Sequence, residues 1–284
     1  MYNKIILLIA VSAATILTVH SDAFPENVSG KIAVQENIEI AYDHYRNGFP
    51  AVIIVSPGFY NSKDNRWMRK TAEFLSSSYD VIVFDPRGHG SSSGEFMWTS
   101  REDADVAAVI RFAEDLGYAH IGILGYSLGA SAAINAVAEV GGVESMVLIS
   151  SVSRFGSIDF HFWEPGMFSD LFDNIACGWQ GKGARCGNIF LSKKYPIDSV
   201  KKIKDTSILF IHGEHDWIVK PRHSKKLYEA ASCTKELKIV KNGLHAERLI
   251  QLHYELMEKV ILDWFAVTIK NSRSQPLDPP LNTG

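Results

Sequence analysis

Gly125-Tyr126-Ser127-Leu128-Gly129 sets a serine between two glycines, after the apolar run 120–124 and before the small, apolar run 130–138. A serine hydroxyl is a weak nucleophile at neutral pH. To attack a carbonyl it needs a general base within hydrogen-bond reach, and that base needs a third group to orient it. The first run reads as a buried strand and the second as a buried helix. Strand, G-x-S-x-G, helix is the context in which a sharp turn pushes a serine out at the carboxyl edge of a sheet. A Cβ at 125 or 129 is expected to collide across that turn. The pentapeptide alone is weak: with Gly and Ser each at about 7%, such a chain meets it by chance about one time in ten. Its flanking elements make Ser127 a candidate nucleophile.

The partners of such a serine follow it as acid and then histidine, each in a loop beyond the carboxyl end of a later strand. Asp216 meets this condition in His212-Gly213-Glu214-His215-Asp216. Glu214 is its local rival, and Asp216 is preferred because the loop must project far enough to reach the histidine. His245 meets it in Asn242-Gly243-Leu244-His245-Ala246, between the last strand and the final helix. The other histidines are placed less well. His89 precedes the serine, His120 opens the wrong end of the elbow strand, and His212 reads as a buried strand-end residue. Charge developing on the substrate oxygen needs fixed donors. The backbone N–H of Leu128 is one candidate. The N–H of Phe59 is the other, in Ser56-Pro57-Gly58-Phe59, where Gly58 permits close approach.

These residues require elements that hold them. Ala51–Ser56 and Val81–Asp85 are apolar and β-branched, as in parallel strands buried on both faces. Lys31–Val34 and Glu39–Tyr45 alternate like two strands of a hairpin turning at Glu36-Asn37. Trp67, Phe74 and Leu75 mark one face of a helix. A second helix is expected over Arg101–Leu116, with Glu102, Asp103 and Asp105 in a first turn where the macrodipole favours them. Alternation continues through strands at Met146–Ser150, Ile208–His212 and Leu237–Val240, a helix near Pro221–Ala231, and one long final helix over Ala246–Thr268. Between 151 and 206 it breaks, and the segment is rich in aromatics, among them Phe155, Trp163, Phe168 and Phe190. Strand–helix alternation predicts an α/β fold: a mostly parallel central sheet with helices on both faces, here with an inserted cap. The expected divisions are a leader at 1–23, a core at 24–150 and 207–270, the cap at 151–206, and a loose tail at 271–284.

Composition narrows the class. The 284 residues carry a net charge of −3, with 46% hydrophobic and 21% charged residues. That fits a globular enzyme, excludes wholesale disorder, and gives no electrostatic reason to expect a nucleic-acid partner. Lys4, the uncharged run Ile5 to Val19, and Ser21-Asp22-Ala23 read as a signal peptide and cleavage site, so the protein is expected to be exported, secreted or periplasmic. As a helix the uncharged run spans about 22 Å, short of the roughly 30 Å hydrocarbon core. Membrane contact is expected only if the segment stays uncleaved as an anchor. In an oxidising compartment Cys177 and Cys186 could bridge, closing a short loop worth about 2.5–3 kcal/mol. No cysteine has metal-site spacing, and no cofactor is expected.

Taken together, Ser56-Pro57-Gly58-Phe59, the stretch 85–94 (Asp-Pro-Arg-Gly-His-Gly-Ser-Ser-Ser-Gly), the pentapeptide at 125–129, His212-Gly213-Glu214-His215-Asp216 and Gly243-Leu244-His245 resemble the α/β-hydrolase superfamily. The resemblance is to its serine-aminopeptidase-like and acylglycerol-lipase-like branch, over 31–269. One departure is Pro57-Gly58, where relatives often carry His-Gly. The resemblance implies a serine hydrolase that cleaves a carboxylic ester through an acyl-serine intermediate, with the cap's aromatics meeting an apolar acyl or aromatic group of a small-molecule substrate. Serine at the nucleophile position argues against haloalkane dehalogenases and epoxide hydrolases, which use aspartate. The alternatives are an exopeptidase, with Glu164 or Asp170 holding the substrate amine, a thioesterase, or a non-catalytic binder on the same fold.

Overall fold

The aliphatic runs do form the middle of a sheet, as the computed structural model shows for residues 26–157, 163, 167–168 and 183–269. The expected leader, the tail, Cys177, Glu164 and Asp170 lie outside the described residues. In chain order the strands are β1 (Glu26–Gln35), β2 (Ile38–Arg46), β3 (Ala51–Ser56), β4 (Asp80–Phe84), β5 (His120–Tyr126), β6 (Ser145–Ile149), β7 (Ser207–Gly213) and β8 (Lys235–Val240). In space they run β1-β2-β4-β3-β5-β6-β7-β8. β1 and β2 are antiparallel to their neighbours, and the pairings from β4 across to β8 are parallel. Every residue of β3, β4 and β6 is buried, because helices cover both faces.

The helices are α1 (Arg66–Leu75), α2 (Glu102–Asp115), α3 (Leu128–Val140), the single turn α4 (Pro196–Ser199), α5 (Arg222–Ala230), α6 (Glu247–Leu252) and α7 (Tyr254–Thr268). On one face Val106, Val109 and Ile110 of α2, Ala133 and Ile134 of α3, and Leu227 of α5 pack on the sheet. On the other, Met68, Phe74 and Leu75 of α1 meet Leu249 and Ile250 of α6 and Met257, Ile261 and Phe265 of α7. α1 starts where it does because Asn65 Oδ1 accepts the Trp67 N–H at 2.9 Å, a cap worth about 1 kcal/mol. Acidic Glu102, Asp103 and Asp105 occupy the first turn of α2, as expected.

Two elements differ from the sequence reading. β1 begins at Glu26, five residues before the strand expected at Lys31–Val34, because its register against β2 runs from Glu26↔Arg46 to Gln35↔Ile38. The pairing is made by backbone, which polar Glu26 and Asn27 do not advertise. The hairpin turns where predicted, with Asn37 at φ 62°. The long final helix is two helices, broken at His253 (φ −132°, ψ 41°). Apolar positions continue at helical spacing through the break, with Leu249 and Ile250 before it and Met257 and Ile261 after it all buried. Periodicity therefore hides the change of direction.

The chain leaves β3 for β4 on one side and returns to β5 on the other. The order thus reverses between β3 and β5, where open α/β sheets hold their ligand crevice. Ser56 pairs with Gly125 at the carboxyl ends of those two strands. The loop carrying Phe59 and the turn carrying Ser127 therefore start side by side.

Candidate active site

Ser127 sits between β5 and α3 at φ 50°, ψ −117°, a strained backbone for a residue with a side chain. Its amide donates to Ile149 O at 2.8 Å, fixing the turn to β6. A Cβ on Gly125 would lie 2.7 Å from Ala130 Cα, as the turn geometry predicts. Gly129 is needed for another reason: a Cβ there would overlap the Ser56 and Pro57 carbonyls rather than the turn itself. Gly58 packs directly on the nucleophile turn, where a Cβ would come within 3.1 Å of Ser127 Cβ.

The three expected side chains converge. His245 Nε2 lies 2.9 Å from Ser127 Oγ, and His245 Nδ1 lies 2.7 Å from Asp216 Oδ2. Asp216 is fully buried. Its other oxygen accepts the amides of Ile218 and Val219 at 3.0 and 2.8 Å. Burial would raise this carboxyl, but the facing His245 and then His212 hold it well below the usual carboxylate range. The ionised carboxylate accepts Nδ1–H, which leaves Nε2 free to accept the serine proton. Glu214, the rival acid, is exposed and accepts the Asn242 amide at 3.1 Å.

The loops that carry the acid and the histidine are tied together. Glu214 N donates to Val240 O and His215 N to Gly243 O, both at 2.9 Å. Gly213 has no room for a Cβ against the Gly243 and Leu244 carbonyls. Beyond His245, Ala246 takes φ 46°, ψ −117°, and its amide donates to Ser150 Oγ at 3.0 Å. Ser150 itself directly follows β6, at φ 54°.

Three contributions escaped the sequence reading. His212 is a buried strand-end residue, as expected, but its Nε2 is also 3.2 Å from Asp216 Oδ2 and 2.7 Å from Val219 O. The four-residue spacing from His212 to Asp216 was the available hint. His89, passed over for lying upstream, accepts the Tyr60 amide on Nε2 at 3.0 Å and donates from Nδ1 to Arg87 O at 3.0 Å. Burial lowers its pKa, which favours the neutral ring that this pairing requires. Asp85, at the start of the same motif, receives the Lys63 amide at 2.7 Å and the Ser91 amide at 2.8 Å. The stretch 85–94 thus holds the loop that carries Phe59.

A cleft of about 530 Å³ opens over Ser127, walled by Phe59, Trp98, Leu128, Phe155, Ile218 and Val219. Phe155 comes from the expected cap, but Trp98 comes from the loop after β4. Phe190, Trp163 and Phe168 are instead 93%, 76% and 69% exposed. The cap's described part is strapped to the core by Arg185 and Gly187, which hydrogen-bond to Phe96 at 2.8 and 2.9 Å. Cys186 is an exposed free thiol, and Cys177, its expected partner, lies outside the described residues. Among the described residues no group of His, Cys, Asp and Glu is arranged to hold a metal ion, and no helix is long and apolar enough to cross a membrane.

Residues 51–174 match the family described as alpha/beta hydrolase fold, and residues 190–247 match serine aminopeptidase, S33. The chain has the α/β-hydrolase fold. An uncharacterized protein of Escherichia coli K12, YfhR, is 22% identical to this chain over 191 residues, 66% of this chain and 60% of that protein. This chain thus spans 60% of the length of that curated relative. A non-heme chloroperoxidase of Streptomyces lividans is 34% identical over 131 residues, 43% of this chain and 45% of its own. An esterase of Pyrococcus furiosus superposes with a TM-score of 0.68 at 22% identity, covering 86% of this chain and 93% of that one. A thermophilic esterase from Thermogutta terrifontis gives 0.65 at 18%, covering 85% and 99%. At such identities the likeness to the two solved structures is one of fold.

Proposed function

We propose that this α/β-hydrolase cleaves carboxylic esters with an apolar acyl or aromatic group through an acyl-serine intermediate. The observation that carries this reading is the unbroken chain from Ser127 Oγ through His245 to Asp216, at 2.9 and 2.7 Å, opening into an apolar cleft. Ser127 Oγ attacks the ester carbonyl carbon while His245 Nε2 takes its proton. Asp216 holds the imidazole in the tautomer with hydrogen on Nδ1 and stabilises the imidazolium. The amides of Phe59 and Leu128 receive the oxyanion. Collapse breaks the ester C–O bond, and the departing alcohol takes the proton from His245. Water then repeats the sequence and frees the acid and Ser127.

A fluorophosphonate probe is expected to label the purified protein at Ser127 and to leave Ser127→Ala unlabelled. A folded wild-type protein that resists the probe overturns the hydrolase reading. A panel of p-nitrophenyl esters of rising chain length beside aminoacyl anilides tests the bond class, and faster turnover of the anilides overturns the ester assignment.

The same mechanism makes His89 a positioning residue. Its Nε2 takes the amide that follows Phe59, so the Phe59 N–H is left aimed at the oxyanion. His89→Ala is expected to lower kcat by about 10- to 100-fold, somewhat less than loss of an oxyanion donor outright. His89→Gln, which can present an oxygen acceptor, should recover part of it. KM should move little, and a trifluoromethyl ketone that mimics the tetrahedral adduct should bind correspondingly more weakly. Equal weakening of substrate and of the ketone would count against this role.

A further inference from the structure

The Asp216 carboxylate is crowded with donors. Its Oδ1 takes the amides of Ile218 and Val219, and its Oδ2 faces His245 Nδ1 at 2.7 Å. His212 Nε2 stands 3.2 Å from that same Oδ2 and 2.7 Å from Val219 O. A carbonyl only accepts, so the short bond to Val219 O puts a hydrogen on His212 Nε2. His212 Nδ1 lies 2.7 Å from Ser224 Oγ of α5, and in the neutral ring it accepts that hydroxyl's hydrogen. The His212 Nε2–H is therefore shared between Val219 O and Asp216 Oδ2. The hydrogen-bonded line from Ser127 through His245 to Asp216 thus runs on to His212 and Ser224. His212, Asp216 and Ser224 are fully buried, and there a hydrogen bond to a charged group is electrostatically stronger than in water.

Other ionisable groups surround the two rings. Lys220 is buried beside Val219. His223, next to Ser224, accepts the Ser153 amide on Nδ1 at 3.2 Å. His215 lies 3.8 Å from Glu214. Glu247, which shares the cleft with His245, accepts from Asn61 Nδ2 at 2.8 Å. The neighbouring strands bring Ser150 and Ile239 alongside His212. Asp216 Oδ2 is the atom that the two rings hold in common.

Resting on the reading of Ser127, His245 and Asp216 as nucleophile, base and orienting acid, we propose that His212 is a positioning residue that draws part of the Asp216 charge away from His245. His245 then stays a free base, able to take the serine proton, to lower pH than Asp216 alone would allow. Two donors on one oxygen compete for its charge, so an imidazolium at His245 gains less from a carboxylate already engaged. Loss of the His212 donor leaves Oδ2 to His245 and raises the pH at which His245 takes up a proton.

His212→Asn and His212→Gln separate the two ring nitrogens. The shorter amide reaches the place of Nδ1 and can still meet Ser224, whereas the longer one reaches the place of Nε2 and can donate to Asp216 and Val219. The first readout is an NMR titration of the His245 ring in the free protein. His212→Asn is expected to raise its midpoint by about one pH unit, and His212→Gln to stay near wild type. A purely structural role would lower the urea midpoint and leave the titration where it was. A folded His212→Asn protein with the wild-type midpoint, or an equal shift in both variants, overturns the proposal. If neither variant folds, wild type decides. Its His212 ring should carry hydrogen on Nε2, and that N–H resonance should move as His245 protonates. Hydrogen on Nδ1 instead, or an N–H resonance blind to His245, overturns the proposal equally. The acid limb of kcat/KM for p-nitrophenyl butyrate reports the base of the free enzyme. In His212→Asn it should move up with the NMR midpoint, a loss of about tenfold at a pH below both limbs. Absence of turnover in wild type would sink the ester reading and leave the NMR titration to judge His212.

Discussion

His245→Ala is expected to lower kcat on a reactive ester such as p-nitrophenyl butyrate by about 10^6-fold, and Ser127→Ala by a similar factor. The two side chains act as a unit. Nε2 stands 2.9 Å from Oγ, and the serine becomes a competent nucleophile only when its proton leaves along that line. Once either partner is gone, the other has nothing to act on. The double variant is therefore expected to be no slower than the singles, a non-additivity that independent contributions would not show. The residual rate should still exceed the reaction in water by about 10^3-fold, since the Phe59 and Leu128 amides and the apolar walls remain. KM should change far less than kcat. A folded His245→Ala protein that kept a hundredth of the wild-type kcat would remove His245 from the mechanism.

What could be read in the sequence was what is signalled locally. The turn at Ser127 announces itself by a strand before it and a helix after it. Asp216 was reachable because it stands a few residues past the aliphatic run of β7, and His245 because it lies between the last strand and the final helices. The central strands were legible for the same reason: burial on both faces leaves uninterrupted apolar runs. What could not be read depends on contacts between distant segments. Asn61 and Glu247 meet across the cleft, and neither residue's neighbours mark it. His89 faces Tyr60 because β3 and β4 are adjacent in the sheet, so its bond belongs to the topology rather than to its motif. Gly129 was recognised as necessary for the wrong reason, since its limit is the neighbouring Pro57 backbone. The break at His253 was invisible because both helices bury the same apolar period.

Asp216→Asn is expected to lower kcat by about 10^4-fold while leaving the protein folded. The orientation of the new amide is decided by its surroundings. The Ile218 and Val219 N–H groups point at the Oδ1 position at 3.0 and 2.8 Å, so an oxygen must stay there. The NH2 is then forced to the Oδ2 position, facing His245 Nδ1 at 2.7 Å and His212 Nε2 at 3.2 Å. Facing a donor, His245 Nδ1 must give up its hydrogen, and the proton moves to Nε2. That nitrogen then donates to Ser127 when it should accept from it. His212 keeps Val219 O as an acceptor at 2.7 Å, so the fold loses only about 1–3 kcal/mol. The pH dependence of stability carries a second signature. The Asp216 carboxyl is held below its unfolded value of about 3.9, so its contribution is complete above that pH and is lost as pH falls toward the lower folded value. Asparagine does not titrate, so the urea midpoint of the variant should fall less steeply than that of wild type as pH drops below about 4. Parallel wild-type and variant curves in that range would show that the carboxylate is not held ionised by its two histidines. A kcat reduced by less than tenfold would show that it does not set the tautomer of His245.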